Sequence, residues 1–208
     1  LVIHDVPGLA AQRLLVVGLG PAEKVNGRGV TKSLMTALRM VTTRDNQRVT
    51  LAVPTNPEGG IPGEYVSLAA QAAVVAGMGQ DLYKAERGRF APAGVHLLVN
   101  DGDDVAVLKG AAEEGKRIGE AINLARELVN QPPNVVYPAS FAKRAEELAK
   151  ENGVKCRVLD LAALKQERMG SMLAVAQGSA EDPRLVVLEY DGVKEGPILG
   201  ICGKGVTF

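Results

Sequence analysis

Apolar and polar residues alternate along the chain in blocks that predict strands and helices in turn. Short continuous apolar runs closed by Gly or Pro predict a strand buried on both faces at Leu14–Val17 and a second buried strand at Val49–Val53. A third strand is predicted at Val95–Val99, before an Asn-Asp turn. Helical spacing over Val30–Val41 and an Ala- and Val-rich stretch over Tyr65–Met78 predict the helices between them. This β-α-β-α-β order predicts a parallel or mixed α/β sheet with helices on its faces.

A long helix is predicted from about Asp104 to Asn130, because small or apolar residues recur there at intervals of three and four. Asp103 or Asp104 can cap its start, and Pro132-Pro133 must end it. At 1.5 Å per residue the helix spans roughly 40 Å, which suits a connector between two domains. The positions that form its predicted apolar face are Ala111, Gly115, Ile118, Ile122, Ala125 and Val129.

The second part of the chain also has α/β character. Ser140 can cap a helix that runs to about Asn152 and ends at Gly153. The further elements predicted here are a strand over Cys156–Leu159, a short helix over Leu161–Arg168, and strands over Arg184–Tyr190 and Ile198–Cys202.

Composition narrows the classes of function. Lys and Arg together number 24, as do Asp and Glu, so the net charge is zero and supplies no basic field that would call for nucleic acid. No apolar run approaches the ~18 residues of a membrane span. The two cysteines, Cys156 and Cys202, are far apart in sequence, which is typical of a reducing compartment and predicts a cytoplasmic protein.

Several short motifs fail when their spacing is checked. Gly18-Leu19-Gly20 follows a predicted strand, but Glu23 stands where a dinucleotide fingerprint needs its third glycine. Gly203-Lys204 lacks the earlier Gly of a phosphate-binding loop, and Gly205 stands where that loop needs Ser or Thr. His4 and His96 have no second ligand at zinc-type spacing. Composition and spacing alone therefore predict an α/β protein of two units and no particular function.

Two stretches resemble the leucyl (cytosol) aminopeptidase family: Ala125–Asn134, followed by Pro138–Ala142, and Gly203–Phe208. In that family the first stretch closes the interdomain helix, and the second begins the segment Gly-Lys-Gly-Val-Thr-Phe-Asp-Ser-Gly-Gly. Met169–Ser171 and Ala174–Ser179 also resemble the family. The resemblance is in register through most of the chain and is stronger in its second part.

The resemblance implies a domain organisation. Residues 1–103 would form a macro-like N-terminal α/β domain whose start is missing, and 104–131 the long connecting helix. Residues 132–208 would form the beginning of an α/β metallopeptidase catalytic domain. The alternative left open is a macro-like ligand-binding or DNA-binding module without catalysis.

The resemblance also implies a metal site. Family members hold two divalent metal ions per subunit (Mn or Zn, with Mg as a further candidate), and one of these metals takes a lysine amine as a ligand. By matching position that ligand is Lys204, which we expect at the carboxyl end of the strand Ile198–Cys202. The amine must be neutral, because an ammonium has no lone pair, and burial beside a dication favours the neutral form. No catalytic or cofactor-binding residue is predicted in the chain besides this metal ligand.

The family's next metal ligand is the Asp that directly follows the position of Phe208, and no Met precedes Leu1. We therefore expect a fragment of a longer parent, with most of the active site missing and no activity of its own. The resemblance implies that the parent is a cytoplasmic homohexamer. It would release N-terminal amino acids, leucine-like ones among them, from peptide substrates.

Overall fold

Strands in the protein pair two by two. The computed structural model describes residues 1–56, 59–193 and 195–207, in two units, Leu1–Asn130 and Gln131–Phe208. The strands found in these residues are β1 (Val2–His4), β2 (Arg13–Leu15), β3 (Arg48–Ala52), β4 (Gly94–Leu98), β5 (Lys155–Leu159) and β6 (Leu185–Glu189). Within the described residues β1 pairs with β2, β3 with β4 and β5 with β6, so the mixed α/β character is confirmed and the single continuous sheet is not.

The first predicted strand differs most from expectation. β2 pairs antiparallel with β1, with Val2 opposite Leu15, and does not join β3 or β4. Leu14 is 37% exposed and Val16 48% exposed, so the prediction of a strand buried on both faces was wrong. The physical reason is that an antiparallel ribbon can pack one face and leave the other in water.

β3 and β4 form a parallel pair, with Arg48 opposite Gly94 and Ala52 opposite Leu98. Successive side chains alternate between the two faces, as they must in a strand. One face packs on the hydrophobic core through Val49, Leu51, Val95 and Leu97. The other face is open among the described residues, with Leu98 55% exposed, so both strands are half-buried and the prediction of a buried strand at Val49–Val53 was wrong.

Two helices flank the core of the first unit. α1 (Gly27–Val41) begins before the predicted start, because the Asn26 side chain accepts a hydrogen bond from the Gly29 N–H at 3.0 Å and caps it. Val30 and Leu38 are fully buried, each stabilising the fold by about 1.5–3 kcal/mol. Its end is tied to the next helix, α2 (Gly63–Ala76), because the buried Thr42 hydroxyl donates to the Ala76 carbonyl at 3.2 Å.

α2 lies against the long helix α3 (Val105–Asn130), which Asp104 caps by accepting from the Ala106 and Val107 N–H groups. A Cβ on Gly115 would collide with the Ser67 carbonyl, and one on Gly119 would lie 2.9 Å from the Val74 Cβ. Glycine is therefore required at both positions for the helices to approach so closely. In the described residues, no helix combines the length and apolar character that crossing a bilayer requires.

The apolar face predicted for α3 was only partly right. Gly115 is buried as predicted, but Ile118 is 41% exposed and Val129 82% exposed. The buried residues of this helix are Leu108, Gly115 and Gly119, so the packed face is turned toward the glycines. Glycines occupy the face that packs on α2, because the short distance between the two helix backbones, and not side-chain hydrophobicity, determines which residues fit there.

The second unit begins with α4 (Pro138–Glu151), and the prediction of Ser140 as its N-cap was wrong. Tyr137 is the cap residue, and Ser140 stands in the first turn, where its hydroxyl accepts from the Tyr137 N–H at 2.9 Å. Gly153 takes a positive φ of 67° after the helix, as a glycine at the end of a helix commonly does. β5 and β6 then pair antiparallel, with α5 (Leu161–Gln166) and α6 (Gly170–Ala176) between them in sequence.

The strand predicted over Ile198–Cys202 does not form. This run has no regular structure, and Ile198 is 97% exposed and Ile201 87% exposed. A strand needs a neighbour for its backbone N–H and C=O groups, and no described strand pairs with this one. The apolar pattern is typical of a strand, but it does not show whether a neighbouring strand is present to pair with it.

The glycine contact between α2 and α3 yields a direct test. We expect Gly115→Ala to lower the free energy of unfolding by about 1–3 kcal/mol, because the new methyl group overpacks against the Ser67 backbone. Gly110→Ala on the same helix is the matched control, since no atom lies within 4 Å of its added Cβ. We expect it to raise stability by about 0.5–1 kcal/mol through helix propensity. Urea denaturation followed by circular dichroism measures both, and equal stability of the two variants would contradict the close contact.

Candidate metal-binding site around Lys204

The predicted metal ligand, Lys204, lies in the segment that follows β6. This segment, described at 190–193 and 195–207, has no regular secondary structure. Lys204 and its neighbours Gly203 and Gly205 are exposed, so the structure does not place the amine at the end of a strand. Phe208, which matches the residue before the family's next ligand, lies outside the described residues.

The start of the segment is held by an ion pair. Lys155 on β5 lies 2.6 Å from the Asp191 carboxylate, just after β6. The hydrogen bond to Asp191 raises the pKa of Lys155, and the charge of Asp191 adds to this effect. Both side chains are largely exposed, so the pair orients the end of the β5–β6 ribbon and contributes little to stability.

The donors needed for two divalent metals do not converge in the described part of the chain. No group of three or more His, Cys, Asp or Glu side chains there could hold a metal ion. Mg²⁺ and Mn²⁺ favour several oxygen ligands, and Zn²⁺ in peptidase sites takes His and carboxylate donors. Lys204 alone therefore does not fit a two-metal centre, and its role as a ligand stays a prediction.

The motif Asn130–Asn134 has a positional role in this structure. It begins at the last residue of α3, and the Val135 and Val136 N–H groups donate to the Pro132 carbonyl at 2.9 and 3.0 Å. This turn leads into the Ser140 hydrogen bonds that start α4. The sequence predicted the helix stop here, and the structure adds the turn.

Sequence reasoning missed a groove on the second unit. An open concavity of about 390 Å³ lies beside α5 and α6, where Leu161 and Leu173 supply apolar surface and Lys165, Glu181 and Asp182 supply charge. None of the residues 203–206 lines it. These side chains carry no motif, so no pattern in the sequence could have identified the groove in advance.

Comparison with known proteins agrees with the resemblance. Residues 123–208 match the catalytic domain of the cytosol aminopeptidase family. The chain is 34% identical to a probable cytosol aminopeptidase of Acidobacterium capsulatum, over 100% of this chain and 41% of that protein. It is 37% identical to a probable cytosol aminopeptidase of Desulfovibrio desulfuricans, over 99% of this chain and 42% of that protein.

Solved structures show the same architecture. The bottromycin maturation enzyme BotP superposes with a TM-score of 0.75 at 31% identity, over 92% of this chain and 40% of that one. BotP in complex with Mn superposes with a TM-score of 0.74. A tomato leucine aminopeptidase mutant gives 0.74 at 22% identity, over 90% of this chain and 37% of that one, which supports the fold alone.

The fold and these matches define an α/β protein of an aminopeptidase family. The chain belongs to the cytosol aminopeptidase family, and residues 123–208 lie in the family's catalytic domain. It spans about two fifths of the length of the curated relatives that it matches.

The donor set predicts how the 208-residue chain behaves toward metal. We expect no stoichiometric Mn or Zn after dialysis, because one exposed amine cannot hold a dication against water. Elemental analysis of the chain and of its Lys204→Ala variant should give the same trace content. Two tightly held metal ions per chain, lost in Lys204→Ala, would show that this prediction is wrong.

Proposed function

We propose that this chain is part of a metal-dependent leucyl aminopeptidase, which releases N-terminal amino acids from peptides. The observation that carries the proposal is the match of residues 123–208 to the family's catalytic domain, with the Gly203–Val206 motif inside it. Whole-chain similarity to two probable cytosol aminopeptidases supports it. We also propose the finer division into a macro-like domain over 1–103, a connecting helix over 104–131 and the start of the catalytic domain over 132–208.

The proposed chemistry uses two divalent metal ions per subunit. Mn has support from BotP, whose structure has been solved in complex with Mn, and Zn and Mg are the other candidates. Such metals activate a water molecule and polarise the scissile carbonyl. Within this chain we assign one role, that of Lys204 as a neutral amine ligand, with Gly203 and Gly205 allowing the backbone to approach closely.

The remaining ligands are proposed to lie in the part of the relatives' length that these 208 residues do not span. The share of the relatives' length that the chain spans, about two fifths, supports this. The described donor set supports it too, because the described residues form no group of three or more His, Cys, Asp or Glu side chains that could hold a metal ion. We accordingly propose that the 208-residue chain by itself does not hydrolyse peptides.

Location and assembly follow from the same proposal. We propose a cytoplasmic protein, in agreement with the name of the family, that assembles as a homohexamer and acts on peptide substrates. Sedimentation of the longer parent protein would test the assembly, and a monomer at working concentration would contradict it.

Hydrolysis of a leucine chromogenic amide tests the function. We expect the longer parent, supplied with Mn, to release the chromophore, and Lys204→Ala to lower kcat/KM by about a hundredfold or more, because it removes a direct metal ligand. Lys165→Ala is the matched control, since Lys165 lines the groove beside α5 and not the Lys204 segment. Full activity of Lys204→Ala would overturn the ligand assignment, whereas an inactive parent with two bound metals would overturn the substrate class.

A further inference from the structure

Several segments meet at one end of the first unit. β3 and β4 are parallel and start opposite each other, at Arg48 and Gly94. The loop before β4 is hydrogen-bonded to the residues after α1, with the Phe90 N–H donating to the Thr42 carbonyl and the Ala93 N–H to the Gln47 carbonyl, each at 2.8 Å. The end of α1, the turn after it and the 79–93 loop therefore form one continuous surface.

Exposed arginines concentrate on this surface. The arginine patch is defined here as Arg39, Arg44, Arg48 and Arg87, all of them exposed. Among the described residues, none of the four has a carboxylate within 4.0 Å. Their charges are therefore not neutralised by the part of the chain that the structure describes.

Two further arginines use their hydrogen bonds without losing their charge. The Arg89 guanidinium donates to the Arg39 carbonyl and also lies 3.4 Å from the Thr42 hydroxyl. Arg13 donates to the side-chain oxygen of Gln47. All three acceptors are neutral, so both guanidinium groups hold the surface together and still add positive potential to it.

The carboxylates of the same segments do not balance these charges. Asp81 accepts from the Gly88 N–H at 2.8 Å and pairs with Lys84, and the Gly88 hydrogen bond contributes most to a lowered pKa of Asp81. Asp45 accepts from the N–H of Asn46 at 2.8 Å. Arg13, 39–48 and 79–93 together hold seven basic and three acidic residues, an excess of four positive charges in a chain whose net charge is zero.

We propose that the arginine patch docks a carboxylate-rich peptide segment of a partner protein. Guanidinium groups match carboxylates in a bidentate geometry, and clusters of Arg recognise short acidic motifs. Single-stranded nucleic acid fits less well, because its binding relies on several stacking aromatics. Tyr83 is the one exposed aromatic of these segments, and Phe90 is half-buried. The partner is thus defined by clustered Asp and Glu.

Fluorescence anisotropy with a labelled oligo-glutamate peptide tests the patch on the full 208-residue chain. We expect binding at about 50 mM salt that weakens steeply as salt rises, because exposed charge pairs are screened. The triple variant Arg44→Gln, Arg48→Gln and Arg87→Gln should bind about tenfold more weakly, since each exposed ion pair is worth a factor of roughly two to five. A matched triple variant on α3, Lys109→Gln, Lys116→Gln and Arg117→Gln, should bind like the unmodified chain.

A charge-preserving variant covers the case in which the Gln variant fails to fold. Replacing the same three arginines with lysine retains the net charge and should weaken binding about threefold, because an ammonium cannot form the bidentate pair. No binding of oligo-glutamate at low salt would overturn the proposal. An equal loss in the α3 variant would also overturn it, because attraction would then depend on total charge. Tighter binding of a single-stranded oligonucleotide of the same charge would assign the patch to nucleic acid instead.

Discussion

The first unit depends on the close approach of α2 and α3. Gly115 and Gly119 leave no side chain between the helices, so the Ser67 carbonyl and the Val74 side chain occupy space that any larger residue would fill. α2 is consequently buried along much of its length and can be rich in alanine and valine with few polar positions. The Asn123 amide secures the far end of the contact by donating to the Val74 carbonyl at 3.0 Å. The β3–β4 pair and α1 then pack on a helix whose position is already fixed.

The α-helices of the first unit could be predicted from the sequence, whereas α6, the strand pairing and the packed face of α3 could not. Helix periodicity and caps are local, so α1, α2 and α3 were found close to their true bounds. Pairing is a choice between distant segments, so β2 joined β1 and Ile198–Cys202 joined nothing in the described residues. The face of α3 failed for another reason, since a search for apolar residues counts Ile118 and Val129 and undervalues Gly119. Periodicity identifies the hydrophobic face of a helix, whereas close contact between two helix backbones requires small residues.

The candidate site could be predicted only through resemblance. Nothing in the spacing around Lys204 distinguishes it from a solvated lysine, and in the structure its side chain is indeed exposed. A neutral amine needs low polarity and a nearby dication, and both are properties of the surroundings. The described residues do not build such surroundings, because Lys204 is exposed and no group of three or more His, Cys, Asp or Glu side chains forms among them. A lysine becomes a metal ligand of this kind only in an assembled site, so the sequence of one segment does not identify it.

The fold distributes charge unevenly in a chain whose net charge is zero. A net charge of zero gives the chain no net long-range field. In 0.1 M salt, however, charges are screened over about 10 Å, so a ligand is attracted mainly by the charged groups next to it. Parallel strands bring together whatever precedes them and, at the opposite end, whatever follows them. Arg48 is the first residue of β3, and Arg87 and Arg89 precede β4, whereas Asp103 follows β4 and accepts from the Asn100 N–H at 2.8 Å. Because β3 and β4 are parallel, the arginines at their starts lie at one end of the pair and the aspartates after β4 lie at the other. Charge is therefore separated along the strands. The acidic end is used internally, since Asp103 binds its own turn and Asp104 caps α3. At the basic end, Arg13 and Arg89 donate hydrogen bonds to neutral oxygens. The positive charge of this end therefore stays available to a partner.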